Sequence, residues 1–309
     1  MKLLETVDWK KVSPYDRYNY FIASKIDRYK ALLLTIEKLG LNSVVVAIED
    51  SRHIFIFPYG VKSLRATGGI FPYKDQNPYI LCAHYDRVSG SPGANDNSIG
   101  VFHLLSTAIT LTQRRIERWI IVFTDNEEIS PGENLETQGS YALAEKIKIW
   151  GLEKAKIFNF DACGTGDTFI ISTTTDHILK HNHSPNILKV RESAGQLRSH
   201  ALETANRLRL DKVLLAPIPF SDDVGFLRAG LAAQTITMLP SQEAQRFETL
   251  LRNRSDLADL IISGRIKASA ERRNLPETWR NLNTPADSVD RLTPQFFPQV
   301  LRFILELVR

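Results

Sequence analysis

His84-Tyr85-Asp86, Asp125-Asn126-Glu127-Glu128 and Asp161 are the residues of this sequence whose types and spacing could do chemistry. The stretch Gly93-Ala94-Asn95-Asp96-Asn97-Ser98-Ile99-Gly100 adds a further carboxylate in a loop between glycines. One imidazole and several carboxylates gathered at one place repel each other unless a cation sits among them, and a divalent metal resolves that conflict. Singly, each has a plainer reading. His-x-Asp fits a surface turn, Glu-Glu fits a solvated loop, Asp96 fits a helix cap and Asn-Asp-Asn fits a turn. It is their joint occurrence, in this order, that points to a metal site.

The elements that must position these residues can be read around them. Apolar runs at Tyr79 to Ala83, Trp119 to Phe123 and Lys156 to Phe160 read as strands, and each of the first three clusters follows one of them directly. Open α/β sheets place their sites at such strand ends. A helix is expected from Ser98 to Thr112, opened by the Gly93–Gly100 loop, and another from Ser140 to Ile149. Strands are expected at Phe169 to Ser172, Val213 to Ala216 and Gln234 to Met238, with an apolar-striped helix over Pro294 to Val308. Upstream, apolar residues at helical spacing predict one helix over residues 15–40, closed by Gly40. Runs at Ser43 to Ile48 and His53 to Phe57 then predict a hairpin, and a loop with Gly68 and Gly69 follows. Alternating elements predict an α/β fold with three α/β/α layers around a mixed, mostly parallel central sheet.

Composition limits what such a site can be. The 309 residues are 43% hydrophobic and 24% charged, enough for a sizeable core. The formal charge is only +4 and carries no block of like charges, so no nucleic-acid partner is expected. The N-terminus lacks a signal-type apolar segment and no run approaches membrane-spanning length, so no membrane and a cytoplasmic location are expected. Two cysteines, Cys82 and Cys163, exclude a disulfide framework and a cysteine zinc ribbon. A transition metal would therefore rest on carboxylates and on some of seven histidines. Of these, His53 and His103 lie in strand-like and helical runs and read as packed residues. Gly164-Thr165-Gly166 reads as a turn, because the full phosphate-binding glycine pattern is missing. Ser106 and Ser130 lack the Gly-x-Ser-x-Gly setting of a nucleophile elbow.

From about residue 79 to 309, the motifs and their order resemble the zinc-dependent aminopeptidases with a co-catalytic metal pair. That superfamily also holds aminopeptidase Y, glutamate carboxypeptidase II, glutaminyl cyclase and the transferrin receptor ectodomain. The Gly93–Gly100 stretch carries the resemblance most specifically, followed by Glu127-Glu128. The resemblance implies that His84 and Asp161 hold a first metal, that Asp96 bridges two metals and that Glu128 holds the second. It implies Asp86 as the carboxylate behind His84 and Glu127 as general base toward a metal-activated water. It also implies a cis Asp96–Asn97 peptide and a substrate-pocket loop at Phe220-Ser221-Asp222-Asp223-Val224-Gly225-Phe226, where relatives often carry histidine at the position of Asp223.

The sequence departs from that family at one ligand. Where His-Thr-Pro-x-Asp is usual, it has Asn283-Thr284-Pro285-Ala286-Asp287, and no histidine follows His200. Asn283 thus stands at a metal position that imidazole normally fills. Three outcomes are open: a weakened second site served by one ion or by a different second ion, substitution by His177, His181 or His183, or loss of activity with a binding role retained. The first is favoured, because a decayed site loses several residues together whereas His84, Asp86, Asp96, Glu127, Glu128 and Asp161 all stand. Glutaminyl cyclase chemistry is less expected, since that branch uses the altered site.

The resulting expectation is a single peptidase-like domain over 1–309, with an N-terminal helix and hairpin at 1–60 and a helical insertion at 241–283. It is expected to hydrolyse peptide or N-acyl amino-acid amide bonds as a zinc-dependent aminopeptidase, with one or two divalent ions. The alternative is an impaired aminopeptidase-like domain that binds a partner. Side-chain preference and oligomer formation are left open.

Overall fold

A computed structural model describes residues 14–309. Residues 24–25, 59–76, 129–134, 181–183, 220, 255, 263–265 and 267–269, and the side chain of Asp16, are outside the description. The Gly68-Gly69 loop, Ser130, His181, His183 and Phe220 therefore lie outside the described residues.

Three parallel strands form the centre because their sequences are mostly apolar on both faces, which suits a sheet covered on both sides. They are β3 (Tyr79–His84), β4 (Trp119–Thr124) and β5 (Lys156–Phe160). With β1 (Ser43–Ile48), β2 (Ser51–Ile56), β6 (Thr168–Ser172), β7 (Val213–Ala216) and β8 (Ala233–Leu239) they form one mixed sheet, ordered β1-β2-β4-β3-β5-β8-β6-β7 among the described residues. The β1–β2 hairpin turns on Glu49 and Asp50, with Glu49 at φ 52°, and β2 then pairs antiparallel with β4. The hairpin thus belongs to the same sheet as the site strands.

Alternate side chains of the central strands enter two cores. Leu81, Ala83, Ile121, Phe123, Phe158 and Phe160 face one way. Against them pack α1 (Tyr18–Ile22), α2 (Arg28–Lys38), α3 (Ile99–Gln113), α6 (Pro185–Arg207) and α11 (Phe297–Leu307). Ile80, Cys82, Ile120, Val122 and Ile157 face the other way, against α4 (Gly139–Ile149) and α7 (Asp222–Arg228). This is the three-layer mixed-sheet architecture that the alternating elements predict. A third cluster joins Ile170 and Leu239 to α8 (Ser241–Asn253), α9 (Leu257–Ile262) and α10 (Glu277–Asn281), through Phe247, Ile261 and Trp279. No helix among the described residues is long and apolar enough to cross a membrane.

Four details differ from the sequence expectation. The single helix over 15–40 is broken: Ala23 turns to ψ 134°, Arg87 takes up the carbonyls of Ile22 and Ala23, and Asp27 caps a new helix by accepting the Lys30 N–H. The helix over 294–308 begins at Phe297 after a short 3-10 turn, Pro294–Phe296. Helix α6 is absent from the expectation because its buried stripe is Val190, Ala194, Leu197, Ala201, Thr204 and Ala205, too weakly apolar to show a period. The short α5 (Thr174–Leu179) is likewise unforeseen.

Candidate metal centre

The register of the three central strands sets the site. Parallel pairing places His84 beside Thr124, and Cys82 beside Asn159; two residues further on, Asp161 stands beside His84. The chain passes from β3 to β4 on one side and then to β5 on the other. The crevice above the strand ends lies where the order reverses.

His84 is completely buried, and both ring nitrogens face carboxylates. Its Nδ1 lies 3.3 Å from Asp86 Oδ1. Its Nε2 lies 3.0 Å from Asp96 Oδ1, 3.5 Å from Asp161 Oδ1 and 4.0 Å from Glu127 Oε2. Burial alone would lower the proton affinity of the ring, but Glu127, Asp161, Asp86 and Asp96 together push it well above the ordinary range. Asp86 is buried too, which favours its neutral form. Its bond to His84 and the Glu128 N–H on Oδ2, at 3.0 Å, outweigh that and keep it ionised. Asp86 thus faces Nδ1, and Nε2 is the ring nitrogen turned toward Asp96, Asp161 and Glu127.

That arrangement fits zinc. Two ligands about 2.0–2.1 Å from a tetrahedral zinc are about 3.3 Å apart. The separations of Nε2 from Asp96 and Asp161 bracket this value. A lone pair opposed by carboxylate oxygens at such distances is repulsive unless a cation or proton lies between them. Among the described residues, donor atoms of His84, Asp96 and Glu128 all lie within 4.8 Å of one another. The histidine of this cluster is His84; His177 stands on α5 and is not part of it.

Asp96 is held by groups from three directions. The Asp96–Asn97 peptide is cis, in agreement with the resemblance. The backbone N–H groups of Asn95 and Asp96 donate to the two oxygens of Asp287 at 2.8 and 3.0 Å. Asn97 Nδ2 donates to the Phe160 carbonyl at 2.8 Å, fastening the turn to the end of β5. Arg28, 6% exposed, donates to the carbonyls of Tyr85, Asp86, Pro92 and Gly93 and to Ser98 Oγ, so one guanidinium spans both loops. Gly93 is at φ 60°, and a Cβ there would meet Arg28 and the Asp96 carbonyl at 2.7 Å. A Cβ at Gly100 would stand 2.2 Å from Asn97 Oδ1. Both glycines permit close approach that any side chain would forbid.

Glu127, 8% exposed, receives Gln138 Nε2 on Oε1 at 3.2 Å, leaving Oε2 toward His84. Burial pushes its carboxyl well up, against the pull of His84, and the charges of Glu128, Asp161 and Asp222 add to the rise. Glu128 Oε2 accepts Asn283 Nδ2 at 2.8 Å. Asp161 Oδ2 accepts Ser221 Oγ at 2.6 Å, and Ser221 is itself the acceptor of Asn159 Nδ2 at 2.7 Å. From the expected pocket loop, Asp222 and Asp223 are buried, with Asp222 accepting Thr124 Oγ1 at 2.6 Å. Burial pushes the Asp223 carboxyl up to about 7.

The structure thus brings His84, Asp86, Asp96, Glu127, Glu128, Asp161 and Asn283 together at one strand end. Sequence reasoning missed Arg28, Gln138, Asp287, Ser221 and Asn159 as parts of this cage. A charge inside an apolar helical stripe marks Arg28, and the Thr-Pro-x-Asp stretch marks Asp287; Gln138 carries no signal.

Sheet and cage together suit a metal-dependent hydrolase. The chain belongs to peptidase family M28, whose profile it matches over residues 68–308. No match to it is found among curated proteins. Among solved structures, it is similar to Porphyromonas gingivalis glutaminyl cyclase, at 16% identity and a TM-score of 0.61, with 96% of each chain covered. It is also similar to a leucine aminopeptidase precursor from Bacteroides thetaiotaomicron VPI-5482, at 15% identity and a TM-score of 0.61, covering 100% of this chain and 99% of that one. A zinc aminopeptidase from Bacillus subtilis matches at 18% identity with a TM-score of 0.50; there, 83% of this chain spans 49% of the other. At these identities the likeness establishes the fold.

Proposed function

We propose that this protein is a zinc-dependent aminopeptidase that hydrolyses the amide bond of peptide or N-acyl amino-acid substrates. His84, Asp96, Asp161 and Glu128 would hold the metal, and Glu127 is the general base. Zinc supplies Lewis acidity, which acidifies water and polarises a carbonyl. The chain's own residues do the rest. Asp86, facing Nδ1 at 3.3 Å, would fix the orientation and tautomer of His84. Ser221, steadied by Asn159, orients Asp161, while Asp287 and Arg28 hold the Asp96 turn.

The observation that carries the reading is Glu127 itself. It is a buried carboxylate fixed through Oε1 by Gln138, with Oε2 4.0 Å from His84 Nε2. Its raised proton affinity suits an acceptor of a water proton that later donates to the leaving amine. An assay on amino-acyl amides tests it: wild type turns over and Glu127→Gln does not, while both keep their zinc.

One observation favours a second reading. Asn283 stands where the family's histidine ligand is usual, so an aminopeptidase-like domain that binds peptides without hydrolysing them accounts for the same cage. Binding of a peptide by zinc-loaded wild type, with no cleavage across a panel of amino-acyl amides, would select it.

A further inference from the structure

Asn283 turns its amide nitrogen, and not its oxygen, toward Glu128. Its Nδ2 donates to Glu128 Oε2 at 2.8 Å, and Oδ1 is buried without a hydrogen-bond partner. Turning the amide over would set Oδ1 against Glu128 Oε2 at the same distance, two acceptors opposed. Nor does that spacing suit two ligands sharing an ion, since these stand about 3.3 Å apart on a tetrahedral zinc. Residue 283 lies at φ 61°, a left-handed conformation that asparagine tolerates well. Its place is fixed by the same C-terminal turn that grips the Asp96 loop: Ser91 Oγ donates to the Thr284 carbonyl, and the Ala94 N–H donates to the Asp287 carbonyl.

Glu128 belongs to one cluster with His84 and Asp96, and its backbone N–H is held by Asp86, the same carboxylate that orients His84. The carboxylate that would serve a second ion is thus tied at one end to the support of the first and at the other to an amide donor.

We propose that this chain binds a single divalent ion of zinc type, held by His84, Asp96 and Glu128 with Asp161 alongside. Asn283 is a positioning residue that holds the Glu128 carboxylate and excludes a second ion. The proposal rests on the metallohydrolase reading above, and replaces the metal pair by one ion.

The test counts metal rather than turnover. Chelator-stripped protein is loaded with excess zinc, passed through a desalting column, and its zinc per chain is measured, with affinity taken from calorimetry. Wild type should retain one zinc per chain, and Asn283→His should retain two. Asn283→Gly, which tolerates the left-handed backbone but removes the donor, should keep one zinc with affinity lowered about 10–100-fold. Two ions on wild type, or unchanged affinity in Asn283→Gly, would overturn the proposal while leaving the hydrolase reading intact. No zinc on folded wild type would remove both. The wild-type count stands on its own if a variant fails to fold.

Discussion

Asp287 grips Asp96 by its backbone: the Asp96 N–H donates to Asp287 Oδ2 at 3.0 Å, across 191 residues of chain. The neighbouring N–H, of Asn95, reaches the other oxygen of the same carboxylate at 2.8 Å. Burial and the charge of Asp96 push the Asp287 carboxyl up to about 7, against the pull of those two donors. The C-terminal turn is therefore part of the candidate metal centre, where Asp287 holds the Asp96 loop by its backbone.

Replacing Asp287 by asparagine keeps the shape and turns one acceptor into a donor facing a backbone N–H. The expected cost is about 1–3 kcal/mol of stability, since a buried donor loses its partner. Zinc affinity should fall as well. Urea unfolding and calorimetry on Asp287→Asn check both; a variant as stable as wild type would show that this grip is idle.

Arg28 gives a second prediction. Arg28→Met keeps the packing of the stem but leaves the carbonyls of Tyr85, Asp86, Pro92 and Gly93 without their shared donor. A loss on the order of 3 kcal/mol is expected. Arg28→Lys should restore little of it, because a point ammonium cannot span two loops as a planar fork does. Equal melting temperatures for Arg28→Lys and wild type would contradict this.

His103 supplies a pH dependence away from the metal. It is fully buried between Tyr15 Oη at 2.6 Å on Nδ1 and the Cys163 carbonyl at 3.3 Å from Nε2, and burial pushes its pKa down to about 3. Above about pH 6.5 the ring is neutral in both folded and unfolded chains and has no effect. Below that, the unfolded chain binds a proton that the folded one refuses, so stability falls by about 1.4 kcal/mol per pH unit until the folded value is reached. His103→Gln, which can keep one donor and one acceptor, should flatten this slope between pH 6 and 4 by about one proton. Urea unfolding of metal-free protein at several pH values measures it, and parallel slopes for the two proteins would refute it.

Much of this site is legible in the sequence, because its charged residues directly follow apolar strands. The limits of β5 and β7, and the gathering of His84, Asp86, Asp96, Glu127, Glu128 and Asp161, are all visible there. What is not visible is what holds them. Arg28 and Gln138 act through carbonyls and carboxylates of loops distant in sequence, and such partners leave no spacing to read. Helix α6 escapes for a different reason: four of its six buried residues are alanine or threonine, so its apolar period is weak. The break before α2 depends on Arg87, some 65 residues away from the carbonyls that it satisfies.

Glu127 separates chemistry from metal binding. Removing its carboxylate as Glu127→Ala should lower turnover by about 10² or more. Zinc content should be unchanged, because His84, Asp96 and Glu128 retain their own supports. Retention of turnover with zinc in place would move the base elsewhere.

The central claim is that a zinc ion in this cage, and not another group of the chain, drives amide hydrolysis. The most direct measurement is the hydrolysis of an amino-acyl p-nitroanilide by purified wild type before chelation, after chelation and dialysis, and after zinc is returned. Activity should disappear with the metal and come back with it. Hydrolysis that survives complete removal of zinc, or none from zinc-loaded folded protein across the amino-acyl series, would contradict it.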